Sequence, residues 1–505
     1  MMMNEMAAKV KSRLAGLMGP VGYLLRHSIA GIIVESKRPV DILIYAKYWL
    51  LIWAMIFKFV GKFLFKKGPV RLIRVLINYP WIFTLLRATE LQARMSHGRK
   101  GPYLESTGLI IYSIAVTLVQ LMEEVLYDPE HLLINEDLVP PEIGKAMGLN
   151  VWLVEALGIL LPFLRCDYAE KYIDEAENVG VNPDACSFVK NAMGMVIRGH
   201  MPKGSVIVSS NMPCEAGMAS YSFIQREYNV PIYRLDAPAN LYDERAEKLF
   251  VEDLKGMIAF LEKHTQGRMD WDRLREICKT RNRMLELELE LWDMMRARPA
   301  PLAAEATYLS HLWHVYWFPD NPMGVRLFEK LVELARKNLD TKTPAVENEK
   351  YRAVLWNPPF PCFVDIFNIL ERKYGLTLII DSMTYNRIPP IDTSTPETML
   401  KGLAKNMLQG PMVRHTRGPV ENYMDDIFRI YKQFDLDMVW VAAHLSCKSG
   451  QGAHGILREK CRQENIPLLL LDYDLLDTRI VSQDNMMRQM DHFMENVMKA
   501  QRIDH

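Results

Sequence analysis

Val206-Ile207-Val208-Ser209-Ser210 is a short run, apolar at its start and rich in β-branched residues, with Cys214 four positions beyond it. Such a run reads as a buried strand. The pattern then predicts a helix over residues 216–228, a strand at Pro231-Ile-Tyr-Arg-Leu-Asp236 and a helix over 241–264. A second series begins at Arg352-Ala-Val-Leu-Trp356. It continues with a helix near 362–374, a strand over 376–381 and, after another helix, the apolar run Met438-Val-Trp-Val-Ala-Ala443. A helix over 451–464, a strand over 467–471 and a closing helix over 483–499 complete it. Strands alternating with helices of this length make parallel β-α-β units.

The expected architecture is therefore α/β. Two doubly wound parallel-sheet domains of Rossmann or flavodoxin type, residues 129–265 and 346–505, are joined by a helical bridge over 266–345. A basic, apolar helical extension over 1–128 precedes them. Ligands in open α/β sheets gather at the carboxyl ends of strands, and the cleft between two such domains is the default site.

A chain of 505 residues is long enough for two or three cores. At 49% hydrophobic and 24% charged it is globular and not disordered. The formal net charge is zero, but residues 1–100 hold 17 Lys+Arg against 4 Asp+Glu, so the remainder is correspondingly acidic. That asymmetry points the N-terminal segment at an acidic surface: anionic lipid, a partner subunit, or the acidic body of the chain itself. No nucleic-acid partner is expected. Seven irregularly spaced cysteines do not make a disulfide scaffold and fit a reducing compartment. The first thirty residues lack a secretory layout. The expected location is the cytoplasm, with peripheral membrane contact through residues 40–75.

That contact rests on Tyr48-Trp-Leu-Leu-Ile-Trp-Ala-Met-Ile-Phe57, flanked by Lys47 and followed by Lys58 and Lys62. A basic, aromatic-rich amphipathic helix in a membrane interface is one reading. A helix packed on another subunit, its lysines in solvent, is the other. The charges argue against a full span. A second apolar patch over 109–121 is short enough for a buried helix. The run over 271–298, rich in Leu, Glu, Met and Arg, reads as a bridge helix whose charges face solvent.

Cys214 and Cys447 each follow a predicted strand, and Cys186 opens a helical stretch just upstream of the first one. Thiols so placed can converge on a soft metal centre. They can equally be small buried hydrophobes. Cys362 follows the 352–356 strand and is the reserve ligand, whereas Cys166, Cys278 and Cys461 read as ordinary thiols. Glu142, Glu215 and His444 are candidate acid–base groups, with Lys448 beside them. The plain alternatives are that Glu142 favours a helix start and that His444 ends a strand with its ring satisfied by backbone. No P-loop, no Gly-x-Gly-x-x-Gly and no close His/Cys quartet is present.

Several stretches resemble the 2-hydroxyacyl-CoA dehydratase / benzoyl-CoA reductase family, in its iron–sulfur subunits. They are Val139-Pro-Pro-Glu-Ile-Gly-Lys-Ala-Met-Gly148, Cys186-Ser-Phe-Val-Lys-Asn-Ala-Met-Gly194, Ser209-Ser-Asn-Met-Pro-Cys214, Val230-Pro-Ile-Tyr-Arg-Leu-Asp-Ala-Pro238, His444-Leu-Ser-Cys-Lys448, and Ile466–Asp474 with Asp477-Thr-Arg479. The ordered set spans roughly residues 130–500. Family members often carry Cys-Asp where this chain has Cys214-Glu215, and the segment before residue 120 looks additional. The resemblance implies an iron–sulfur centre on Cys186, Cys214 and Cys447, either a [4Fe-4S] cluster or a linked double cubane. It implies radical dehydration or reduction of an acyl-CoA, with electrons from an ATP-dependent iron–sulfur activator. It also implies a homodimer, or a heterodimer with a sister subunit. Alternatives are a double-cubane reductase of small molecules and a non-catalytic, membrane-docked electron-transfer subunit.

Overall fold

The computed structural model describes residues 38–356 and 360–503, except the side chain of Glu130. Residues 1–37 of the expected extension, and Asn357-Pro358-Pro359 after the 352–356 run, lie outside the described residues.

Two four-stranded parallel sheets frame the protein. The first holds β1 (Leu132–Asn135), β2 (Asn150–Leu153), β3 (Val206–Ser210) and β4 (Ile232–Leu235) in the order β2-β1-β3-β4. The second holds β5 (Tyr351–Trp356), β6 (Leu376–Asp381), β7 (Met438–His444) and β8 (Leu468–Tyr473) in the order β6-β5-β7-β8. The α/β expectation holds. Two strands nevertheless precede the run at 206, which is not the first. Both β1 and β2 are four residues long, too short to carry a periodic signal. All of β3 and β7 is buried, which is why their sequences are continuous apolar runs: helices cover both faces. In each sheet the chain steps from a central strand to one side, then back to the other. The carboxyl ends of β1/β3 and of β5/β7 thus flank topological switch points.

The helices that matter for the site and surface are α1 (Pro39–Asn78), α2 (Pro102–Tyr127), α3 (Val154–Leu164), α4 (Ser187–Ile197), α5 (Glu215–Tyr228), α6 (Trp271–Met295) and α7 (Lys448–Gln463). The apolar patch over 109–121 belongs to α2, a longer helix than its pattern suggests. Gly108 lets α1 come close, since a Cβ there would meet the Tyr48 ring at 2.3 Å. Tyr48 and Lys47 both donate to Glu105 Oε1, at 2.7 Å each, and Lys62 pairs with Glu123 at 2.6 Å. From its other side α2 reaches the bridge: Thr107 donates to Glu305 (2.5 Å) and Trp313 Nε1 to Thr117 (2.9 Å).

Most charges of the bridge helix α6 face solvent as expected, among them Asp272, Glu276, Lys279, Glu286 and Asp293, but two do not. Arg281 and Glu288 are buried. Glu288 accepts from Ser310 (2.9 Å) and meets His311 Nδ1 (2.7 Å). Arg281 pairs through Nε with Glu142 (3.2 Å) and donates to Asn406 (2.7 Å). Charges buried at a three-way junction persist because each finds a partner. Removing one member of such a pair strands the other, at about 3–5 kcal/mol. Arg281→Ala is therefore expected to lower unfolding free energy by about that much in a denaturant melt, with Arg281→Met/Glu142→Gln recovering most of it. Equal stability of the single and double variants would contradict this.

Candidate active site

A cavity of about 160 Å³ lies at the carboxyl ends of strands from both sheets. Glu136 and Asp137 follow β1, Val154 and Glu155 follow β2, and Cys214 and Glu215 follow β3; Met383 follows β6, Cys447 follows β7, and Leu475 follows β8. Cys186, Tyr221, His444 and Lys448 add further polar groups to the wall, with Val154, Ile159, Phe188, Met195 and Leu312 among its apolar lining.

The three thiols share one local design. Cys186, Cys214 and Cys447 are the residues immediately before α4, α5 and α7, each at the helix N-cap. Cysteine is not a usual cap, where Ser, Thr, Asp or Asn is preferred, so helix stability does not explain three of them. The position sets each sulfur against the positive end of a helix, which favours thiolate. Burial opposes this, pushing Cys186 up to about 12, Cys214 to about 11 and Cys447 upward, while backbone N–H groups of Phe188, Gly217 and Gly450 pull back. The thiols also raise one another: Cys214 and Cys447 act on Cys186, and Cys447 on Cys214. Without a compensating positive centre, three thiolates cannot coexist here. Among the described residues no three His, Cys, Asp or Glu side chains stand close enough together to ligate a single ion. The thiols instead ring a void.

His444 ends β7 with its ring buried. The Leu475 N–H donates to Nδ1 (3.1 Å), so in the neutral ring the proton sits on Nε2. Nε2 faces Cys186 Sγ at 3.3 Å and donates to it. Burial lowers the His444 pKa and keeps the ring neutral. The backbone-satisfied reading and the functional reading therefore both describe this histidine, one for each nitrogen.

Three carboxyls on the cavity wall were not singled out by the sequence. Glu136 is 3% exposed and burial raises its pKa well above the usual carboxylate range. Its Oε2 accepts from the Ser210 N–H, and its Oε1 lies 3.0 Å from Ser210 Oγ. That hydroxyl has one proton, and its 2.6 Å contact with Met212 O uses it. Burial favours the protonated acid, whose Oε1–H would donate to Ser210 Oγ. Glu155 accepts from Tyr221 and is raised by burial and by Asp137. Burial raises Asp137 to about 7. The signal was available in principle: Glu136 and Asp137 directly follow Leu132-Leu-Ile-Asn135, at the carboxyl end of a strand.

The other candidates are distributed as follows. Glu215 and Lys448 line the cavity. Glu142 does not: it is buried in the ion pair with Arg281, where burial pushes its carboxyl up to about 7 against the guanidinium's pull. Cys362 lies instead against Cys166, whose Sγ donates to the Cys362 carbonyl at 2.8 Å. Cys278 and Cys461 are buried in helices away from the cavity.

Two curated proteins are similar to this chain. One of the subunits of benzoyl-CoA reductase from Thauera aromatica is 22% identical over 349 residues, covering 64% of this chain and 79% of the relative. The alpha subunit of (R)-2-hydroxyglutaryl-CoA dehydratase from Acidaminococcus fermentans is 24% identical over 200 residues, covering 39% of this chain and 41% of the relative. The 2-hydroxyglutaryl-CoA dehydratase D-component model matches residues 138–497, a span that takes in the second sheet, every strand of the first except β1, and all three cavity cysteines, and the chain belongs to that family.

Proposed function

We propose that this chain is the catalytic subunit of an enzyme that dehydrates or reduces an acyl-CoA by single-electron chemistry, with an iron–sulfur cluster held by Cys186, Cys214 and Cys447. The observation that carries the reading is the meeting of three N-cap thiols, far apart in sequence, around one void. The donor set suits the group. Cysteine thiolates are the usual ligands of such clusters, and thiols standing around a void suit a polynuclear centre whose own body separates them. When bound, the cluster supplies low-potential electrons one at a time and an iron position not taken by protein thiolate.

The chain's own residues do the rest. Glu136, held protonated, donates from Oε1 to the departing hydroxyl in a dehydration, or to the reduced carbon in a reduction. Asp137, titrating near neutrality, accepts a proton at its carboxylate. Val154, Ile159, Phe188 and Leu312 keep water from the reacting group. A sister subunit or second copy, and an ATP-dependent iron–sulfur activator as electron source, complete the proposed assembly.

Anaerobically purified protein should contain iron and acid-labile sulfide and turn over a 2-hydroxyacyl-CoA or an aromatic acyl-CoA once reduced. Protein that holds a cluster but turns over neither would be an electron carrier; colourless, iron-free protein that folds normally would overturn the reading altogether.

The His444 hydrogen bond has its own signature. Donation to a ligand sulfur favours the electron-rich state, so His444→Phe should keep its iron but shift the cluster's potential negative, on the order of 50 mV for one hydrogen bond. An unchanged potential in protein-film voltammetry would remove His444 from this role.

A further inference from the structure

Eight of the fifteen large apolar side chains exposed on the described surface lie on one helix, α1. Leu43, Leu50, Phe57 and Leu64 recur every seven residues along its outward side, and Phe65 beside them is 94% exposed. The inward side faces the protein: Tyr48, Ile52 and Phe63 are buried there, and Lys47 and Lys62 are tied to Glu105 and Glu123 of α2. The helix's second half carries the cations Lys58, Lys66, Arg71 and Arg74, all exposed, with Lys66 reaching over the Tyr127 ring of α2.

The helix is thus not amphipathic in the expected sense. It is apolar around its whole circumference, from Leu43 to Phe57, with Lys47 as the single charge. A helix apolar all round belongs in a dry environment on both sides. Only 22% of its most apolar stretch is buried, against 61% for α2. The outward surface is also wider than a paired-helix seam, because half-exposed Trp49, Leu51 and Trp53 flank the Leu50–Phe57 line. By length and composition α1 is long and apolar enough to cross a membrane, but the lysine–glutamate ties hold the helix along the protein. Gly68, with φ 77°, and Pro69 then redirect the chain, and the last part of α1 exposes Val70 and Ile73 alongside Arg71 and Arg74. Beneath the helix lies a cavity of about 220 Å³ whose nineteen lining residues, from α1, the 80–88 segment and α2, are all apolar. Voids of that chemistry stay dry and take hydrocarbon.

We propose that the outward face of α1 docks the protein on an anionic phospholipid membrane. Phe57, Leu64 and Phe65 enter the acyl boundary, and Lys58, Lys66, Arg71 and Arg74 lie at the level of the phosphates. Apolar insertion supplies the binding and the cations supply the preference for negative lipid. The helix lies in the interfacial plane, so the protein is peripheral.

The full chain, purified anaerobically, is sedimented with vesicles of phosphatidylcholine alone and of phosphatidylcholine mixed with phosphatidylglycerol. Binding is expected to the mixed vesicles, weaker by about tenfold or more to the neutral ones, and reversed by alkaline carbonate. Phe57→Ser/Phe65→Ser, both at exposed positions, should lose binding to either vesicle by about tenfold or more while keeping the wild-type melting curve. Lys66→Glu/Arg71→Glu/Arg74→Glu should lose only the preference for anionic lipid. No pelleting with the mixed vesicles, or equal pelleting by all variants, would overturn the proposal. So would retention through carbonate, which means a span. A fall in oligomeric mass of the Ser variants without any change in vesicle binding would assign the face to a second copy of the chain instead.

Discussion

Cys447→Ser should emerge from anaerobic purification without its cluster, and turnover should fall to background with it. Cys447 sits at the N-cap of α7, one of three thiols around the 160 Å³ void, and it acts on both of the others electrostatically. Serine keeps the shape of the cap and can satisfy the same backbone N–H groups, so the helix itself should survive. What serine lacks is a soft anionic ligand at neutral pH. Cys214→Ser should behave the same way. Cys278→Ser is the matched control, because its sulfur is buried in α6 away from the cavity. It should keep full iron and show only the stability cost of a buried hydroxyl, about 1–3 kcal/mol. Full iron in Cys447→Ser would mean the ligand set is wrong.

Glu136→Gln should separate chemistry from structure. Since burial favours the neutral carboxyl, glutamine is close to isosteric and isoelectronic with it. Its amide can donate to Ser210 Oγ while its carbonyl accepts from the Ser210 N–H, preserving both contacts. Melting temperature and iron content should therefore stay near wild type. An amide cannot deliver a proton, however, and positioned acid catalysis contributes about 10²–10⁴-fold. Turnover should fall by that factor in the reduced enzyme, with substrate binding little changed. Wild-type turnover in this variant would move the acid elsewhere, with Glu155, paired to Tyr221, the next candidate.

The parts of this protein that were legible in its sequence are those whose signal is local. β3 and β7 are covered on both faces, so their apolar runs stand out, and the cysteines just beyond them mark the ends of strands. β1 was not legible, because four residues carry no periodicity, and the acids that follow it were hidden with it. Nothing in the letters Glu136-Asp137 says that the first is held in a site that favours its protonated form; only its burial says so. Glu142 shows the converse. It stands in a recognisable motif, yet in the fold it is held by Arg281, a residue 139 positions away on a helix that looked solvated. Charge pairing across the core is a property of packing and leaves no mark in spacing. The outward face of α1 is intermediate: its apolar run is plain in sequence, but which half of it is left uncovered is decided by Gly108 and the lysine–glutamate ties to α2.

The central claim is that thiolates of Cys186, Cys214 and Cys447 hold inorganic iron in one cavity. Anomalous diffraction at the iron edge, on crystals grown without oxygen, tests it most directly. Strong density is expected among the three sulfurs, within bonding distance of each. Density elsewhere, or iron-free crystals whose three sulfurs point into separate pockets, would contradict it.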